Sequence, residues 1–174
     1  MLQLHHYDPS YNDIFKRESE KIAKLLVGDY LIEHICSTAI PGTDGKGVVD
    51  IIVAFNSIEE MLSAIIILEK HYHFIDDKVD RDTRIFMTSS EKDSGEGDIH
   101  LHLVLKDSDD YNDAILFRDY LIKHQDAKQA YVNLKYDIQK NITNDRAEYT
   151  KHKADFIHNI IALAKTNSHY GAKH

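Results

Sequence analysis

The chain has 174 residues, of which 43% are hydrophobic and 29% charged, which is typical of one globular domain long enough to bury a core. The formal net charge of −8 argues against a general nucleic-acid-binding protein, because phosphate neutralisation needs clustered Lys and Arg. A local basic pocket for a small phosphorylated ligand is compatible with that charge. We expect a single domain over residues 1–174.

Other whole-chain features bear on the compartment. The single cysteine, Cys36, cannot form an internal disulfide, and the N-terminus lacks the basic-then-apolar pattern of a signal peptide. The most apolar stretch, residues 61–69, is too short to span a bilayer. We therefore expect a cytoplasmic protein that does not interact with membranes. The sequence does not predict the oligomeric state.

The first predicted elements are a helix and two strands. Apolar residues at helical spacing predict a helix over residues 11–27, ended by Gly28. Residues 30–35 and 48–55 are rich in β-branched and aromatic side chains and are predicted to be strands. Between them lie three glycines and a proline, a composition typical of a turn or loop.

A second helix is predicted over residues 58–70. Ser57 is a good N-cap, and Glu60 follows it three residues later, which is the spacing of a capping box. The side chains expected to pack on the sheet are Ile65, Ile66 and Leu68.

Further strands and helices follow. The strands are expected within residues 72–76, 83–89 and 98–105, with a polar, glycine-containing connection over residues 90–97. Helical spacing then predicts helices over residues 110–123, 126–140 and 146–165, with Asp126 and Asn144 at helix starts. This order predicts an α+β fold with a mixed β-sheet and a helical C-terminal half.

The strand DIHLHLVL carries a candidate site. Asp98, His100 and His102 alternate with aliphatic residues, so the three polar side chains are expected to share one face of the strand. Two imidazoles at this spacing can reach one metal ion or one phosphate. A solvated strand face is the alternative, in a chain with 12 histidines.

Asp50 is a lone carboxylate within an apolar strand. Its burial is costly unless the carboxylate is paired, hydrogen-bonded or exposed at a site; capping a loop is the structural alternative. Because each of the two strands has a single polar face, we expect this strand and the histidine strand to lie side by side in one sheet. Asp50 could then join His100, His102 and Asp98 around a divalent metal. A carboxylate with imidazoles suits Zn or Mn better than Mg, which prefers oxygen ligands.

The glycine-containing segment after the first strand is a candidate phosphate loop. Ser37 and Thr38 offer hydroxyls, and the glycines offer flexible backbone amides. The spacing to Lys46 does not fit a Walker motif, and such loops often only turn the chain. Cys36 has no partner in the sequence that would lower its pKa, so a buried small residue is favoured over a nucleophile.

Arginines supply candidate phosphate contacts. The guanidinium of Arg118, in FRDYL, is well shaped for a phosphate, but it could equally pair with Asp119 or Asp113. Arg84 and Lys46 are the other candidate phosphate-binding cations.

An ordered series of motifs over nearly the whole chain resembles the GrpB family, a group of small proteins in the nucleotidyltransferase superfamily. The motifs are YDPSYNDIF, EHICSTAIPGTDGKGVVDI, RIF with Arg84, HLHLVL, FRDYLIKH, YVNLK and YTKHKADFI. The resemblance implies a nucleotidyltransferase-like mixed sheet flanked by helices, in agreement with the element order above.

The resemblance also implies where the site departs from the superfamily. Active superfamily members carry a Gly-Ser turn, then an Asp-x-Asp or Asp-x-Glu strand, with a further carboxylate on a neighbouring strand. Ser37 and Asp50 match the serine and the first aspartate, whereas Cys36 replaces the turn glycine and Ile52 the second acid. An isoleucine cannot ligate a metal, so ordinary two-metal chemistry is in doubt. Where a further acid is expected, the chain has the pair His100 and His102.

Two functions are compatible with these features. One is a binding module for a nucleotide or another phosphorylated ligand. Family members also occur fused to dephospho-coenzyme A kinase, which makes a coenzyme A-related compound a candidate ligand. The other is a nucleotidyl- or phosphoryl-transferase that uses an NTP and a divalent metal (Mg, Mn or Zn), with Asp50 as its catalytic carboxylate.

Overall fold

The computed structural model describes residues 3–75, 84–90, 97–141 and 146–171. The helices are α1 (Ser10–Leu25), α2 (Ile58–Leu68), α3 (Asp109–Lys123), α4 (Gln125–Asn141) and α5 (Arg146–Gly171). The strands are β1 (Tyr30–Ile35), β2 (Val49–Phe55), β3 (His73–Phe74), β4 (Arg84–Thr88) and β5 (Ile99–Leu105). A short 3-10 helix, Ser37–Ala39, follows β1. The predicted α+β fold with a mixed sheet and a helical C-terminal half is confirmed.

The five described strands form one sheet in the order β1-β2-β5-β4-β3. Only β2 and β5 pair in parallel; the other neighbours are antiparallel. In the β2–β5 register Asp50 lies opposite His100 and Ile52 lies opposite His102. The predicted adjacency of the aspartate and histidine strands is therefore confirmed.

The two faces of the sheet have different cores. Alternate residues of β2 and β5 pack with α1 and α2 in the main hydrophobic cluster, because successive side chains of a strand point to opposite faces. Members of that cluster include Ile22, Ile51, Val53, Met61, Leu68, Leu101 and Leu103. On the other face, Ile52, Ala54 and Val104 pack with residues of α3.

The C-terminal helices have a core of their own that adjoins this second face. Its buried members are Ile40, Phe117, Leu121, Tyr131, Ile160 and Ile161. Ile40 comes from the segment after β1, so this core holds that segment against α3, α4 and α5. The polar residues of the second face thus lie beneath the helical half.

Helix α2 has the predicted cap but not all of the predicted packing. The Ser57 side chain accepts a hydrogen bond from the Glu60 backbone amide, at 3.2 Å, which confirms the predicted N-cap. Leu68 is buried as expected. The packing prediction for Ile66 is wrong, since its side chain is 62% exposed. Ile66 lies on the solvent side of the helix, whereas Ile65 packs on the core.

Other boundaries shift by a few residues. The first helix ends at Leu25, before Gly28, and the fourth begins at Gln125, one residue before Asp126. Asn144 and most of the connection over residues 90–97 lie outside the described residues. Within the described part of the chain, no helix has the length and apolarity needed to cross a membrane.

Candidate functional site

A cleft of about 500 Å³ opens between the second face of the sheet and the C-terminal helices. Six residues predicted from the sequence line it: Ser37, Lys46, Asp50, Arg84, His100 and His102. They come from the turn after β1, the glycine-containing loop and three adjacent strands. The structure therefore brings together side chains that are far apart in the sequence.

The polar centre of the cleft is a line of three side chains. His102 Nε2 lies 2.9 Å from Asp50 Oδ1, and His102 Nδ1 is hydrogen-bonded to Arg84 Nη2. Arginine can only donate, so Nδ1 accepts and the proton of the imidazole resides on Nε2, from which it is donated to Asp50. His100 Nδ1 lies 3.6 Å from the same carboxylate oxygen. His102 is thus held as a neutral imidazole.

The protonation states follow from burial and these contacts. Burial would raise the pKa of Asp50, but hydrogen bonds from His100 and His102 outweigh it and hold the pKa well below its usual value. Burial, together with the nearby Arg84 charge, lowers the pKa of His102 despite its bond to Asp50. Asp50 is therefore an ionised carboxylate beside a neutral imidazole at neutral pH.

This arrangement does not fit a metal ion. A coordinating imidazole nitrogen needs a lone pair, yet His102 Nε2 carries a proton and Nδ1 accepts from Arg84. Among the described residues, no three His, Cys, Asp or Glu side chains are placed to hold one ion. Asp98, the fourth predicted ligand, lies with Oδ2 2.8 Å from Ser90 Oγ and does not line the cleft. The predicted metal stays a prediction, to be tested by metal analysis of the purified protein.

The turn before the cleft has unusual backbone geometry. Cys36 has φ 61° and ψ −159°, a region of backbone space that is almost restricted to glycine. This geometry matches the expected turn glycine, whose position Cys36 occupies. Burial, followed by the nearby Asp50 charge, raises the pKa of the Cys36 thiol to about 12. A thiol in this state is not a nucleophile.

Ser37 is placed by a close contact with the glycine loop. A side-chain carbon added at Gly45 would lie 2.7 Å from Ser37 Oγ, closer than real contacts allow. Gly45 is therefore required for the Ser37 hydroxyl to occupy its place on the cleft wall.

Thr38 has a structural position. Its side chain is 2% exposed, and its hydroxyl donates to the Val48 carbonyl at 3.1 Å. The hydroxyl oxygen is also 3.0 Å from His34 Nε2, and the His34 ring stacks on Phe15 of α1. Burial lowers the pKa of His34 to about 4, so this imidazole is neutral. Thr38 does not line the cleft; its contacts hold the turn to the start of β2.

Arg118 also lies away from the cleft. Its guanidinium donates to Glu33 Oε2 at 2.7 Å, to Asp119 Oδ1 at 2.8 Å and to the His34 carbonyl at 2.9 Å. These bonds join α3 to β1. Of the two roles considered for Arg118, pairing with nearby carboxylates is the one that matches its contacts in the structure.

The sequence reasoning missed two lysines of the cleft wall, Lys135 of α4 and Lys153 of α5. Lys135 follows Tyr131 by four residues and precedes Ile138 by three, and both of these neighbours are buried. A lysine on the apolar stripe of a helix was therefore a readable signal. Lys153 gave no comparable signal.

Ile52 shows how the site departs from a two-acid arrangement. Its side chain is 1% exposed and packs with Ile35, Ala54 and Val104 beneath α3. An acid at this position would enter an apolar cluster, where an unpaired charge is costly.

A family model described as "GrpB protein" matches residues 1–163. The chain belongs to the GrpB family. The GrpB protein of Enterococcus faecalis, known from a crystal structure, superposes with a TM-score of 0.82 at 20% identity, over 95% of this chain and 99% of that one. This likeness shows that the GrpB fold is shared.

Two further proteins are similar to the chain. A UPF0157 protein of Pseudomonas aeruginosa is 32% identical over 165 residues, which are 91% of this chain but 66% of that protein; the chain thus spans just under two thirds of this relative. The Cid1 poly(U) polymerase bound to MgATP gives a TM-score of 0.47 at 11% identity, over 76% of this chain and 47% of that one.

The backbone of Cys36 generates a stability prediction. Replacing Cys36 with Gly removes a strain of about 1–3 kcal/mol, partly offset by the higher chain entropy of glycine in the unfolded state. We expect the variant to gain roughly 1 kcal/mol in free energy of unfolding, measured by urea denaturation.

Cys36→Ala is the matched control, because it removes the thiol but keeps the side-chain carbon that causes the strain. It should show no gain. A Gly variant that is less stable than the Ala variant would contradict the strained geometry.

Proposed function

We propose that the cleft binds a small phosphorylated ligand of the nucleotide or coenzyme A class. The observation that carries the proposal is the convergence of cationic side chains from separate elements on the lining of one cleft: Lys46, Arg84, Lys135 and Lys153. Charge-assisted hydrogen bonds from such groups are the usual means of holding phosphate oxygens. The Ser37 hydroxyl also lines the cleft and can donate to the same oxygens.

Other residues of the lining suit the rest of such a ligand. Asp109, Asp110 and Asp113 of α3 line the cleft, and Asp110 Oδ1 lies 3.7 Å from Arg84 Nη1. These carboxylates can accept hydrogen bonds from ribose hydroxyls or from an amino group of a base. Apolar surface from Phe117, Ile157 and Ile161 completes the lining. The polarity therefore favours a ligand with an anionic end and a donor-bearing end. A long nucleic acid is not favoured, given the net charge of −8.

Nucleotidyl transfer is a second candidate, favoured by the ionised, buried Asp50 on the floor of the cleft. The apolar packing of Ile52 argues against the ordinary two-acid mechanism. Binding without transfer is therefore the function that the geometry supports better.

Thermal unfolding with ATP and with coenzyme A tests ligand binding. Ligand at ten times its Kd stabilises the folded state by about 1.4 kcal/mol, which corresponds to a rise in Tm of about 3–6 °C. Arg84→Met should weaken binding roughly tenfold or more, since it removes a charged hydrogen-bond donor from the cleft. The rise at the same ligand concentration should then fall to less than half.

Arg118→Met is the matched control. It should lower the Tm of the ligand-free protein, because Glu33, Asp119 and the His34 carbonyl lose their partner. The ligand-induced rise should persist. If millimolar ATP and coenzyme A leave the wild-type Tm unchanged, or if Arg118→Met alone abolishes the rise, the proposed site is wrong.

Turnover separates the two candidates. A binding module predicts no nucleotidyl transfer from an NTP by the wild type with Mg, Mn or Zn supplied in turn. A transferase predicts turnover that Asp50→Asn lowers by orders of magnitude while NTP affinity changes little. Asp98→Asn is the matched control, because Asp98 lies outside the cleft.

Turnover that Asp50→Asn abolishes and Asp98→Asn preserves would establish the second candidate. Turnover that survives Asp50→Asn would place the active site elsewhere.

A further inference from the structure

Lys135 is a buried lysine at the wall of the cleft. Its side chain is 2% exposed, and its ammonium lies 4.4 Å from the centre of the Tyr131 ring. Nζ also donates a hydrogen bond to the backbone carbonyl of Asp44 in the glycine loop. Lysine is almost never buried to this degree unless it is paired, yet no carboxylate contacts Nζ among the described residues; its one hydrogen-bond acceptor there is a neutral carbonyl.

The ammonium is close to the turn after β1 and to the glycine loop. A side-chain carbon added at Gly45 would lie 3.7 Å from Lys135 Nζ and 2.7 Å from Ser37 Oγ. The ammonium and the serine hydroxyl therefore flank the same glycine. An anion seated over Gly45 could accept from both groups.

The charged groups around Lys135 do not fully balance the charge of its ammonium. Lys153 of α5 opposes its charge and the Asp44 carboxylate of the loop favours it, whereas the Cys36 thiol of the turn, whose pKa is raised to about 12, is uncharged at neutral pH. The Asp44 carboxylate is itself bound by the Tyr136 hydroxyl, the Tyr7 amide and His6. On its own helix, Lys135 faces the uncharged Tyr131 ring.

We propose that Lys135 is a phosphate-binding residue of the cleft and that ligand binding is coupled to its protonation. This inference rests on the proposed function and adds to it a binding residue and a pH dependence. The ligand chemistry is a di- or triphosphate group, held by the Lys135 ammonium together with the Ser37 hydroxyl.

The direction of the pH dependence follows from the ligand-free state. Burial, followed by the charge of Lys153, lowers the pKa of Lys135 to about 7, so a large share of the amines is uncharged above neutrality. A bound phosphate favours the ammonium and raises this pKa. Binding therefore takes up a proton, and affinity should fall about tenfold as the pH rises from 6.5 to 8.5.

Isothermal titration calorimetry with inorganic triphosphate tests the inference, beside a parallel panel of ATP and coenzyme A. Titrations at pH 7.5 in two buffers of different ionisation enthalpy measure proton uptake by the wild type, with no substitution needed. Lys135→Met should bind triphosphate at least tenfold more weakly and show no uptake. Lys128→Met is the matched control, since Lys128 is on the same helix and donates to the Pro41 carbonyl of the same segment but does not line the cleft.

The expected result is uptake in the wild type and in Lys128→Met, lost in Lys135→Met. Three results would overturn the inference and leave the proposed function standing: nucleotides that bind where triphosphate does not, triphosphate binding without proton uptake, and uptake or affinity that Lys135→Met leaves unchanged. If neither triphosphate nor any member of the panel binds, both the inference and the proposed function fail.

Discussion

The burial of Asp50 is the constraint around which the site is organised. An ionised carboxylate within a sheet is tolerated only when hydrogen bonds replace its lost hydration, and His102 provides the closest of them, at 2.9 Å. That contact requires β2 and β5 to be neighbours in their observed register. The antiparallel pairing of β4 with β5 then brings Arg84 to the far side of His102. Arg84, His102 and Asp50 thus form one hydrogen-bonded series, which defines the protonated nitrogen of His102 and places a cation at the cleft.

Asp44 is the second residue on which the site depends, because it holds the glycine loop in place. Its carboxylate accepts from the Tyr7 amide and the Tyr136 hydroxyl, and its carbonyl accepts from Lys135. A bridge between His5 and Gly45 adds two backbone hydrogen bonds. The N-terminal segment and α4 therefore both hold the glycine loop. A loop that is held from two sides is preorganised, which lowers the entropy cost of binding a ligand.

The sequence predicts the sheet and its polar centre better than the cleft walls. Alternation along β5 placed His100 and His102 on one face, and a lone acid in β2 implied a partner, so their meeting followed from local pattern alone. The partners of Arg118 did not follow, because Glu33 is distant in the sequence and only the packing of α3 on β1 brings it near. The sequence shows Lys135 as a cation on the apolar side of a helix, but its proximity to Gly45 depends on how α4 packs. The packing prediction for Ile66 was wrong because helical spacing alone does not define which side of α2 faces the sheet.

The central claim is that ligand enters the cleft between the second face of the sheet and the C-terminal helices. The most direct test is a map of amide chemical-shift changes in the ¹⁵N-labelled protein as ATP is added. The largest changes are predicted at the Cys36–Ser37 turn, at Gly45 and Lys46 of the loop, and at Arg84. Changes confined to the surface around Glu33 and Arg118, or no saturable change at millimolar ATP and coenzyme A, would contradict this account.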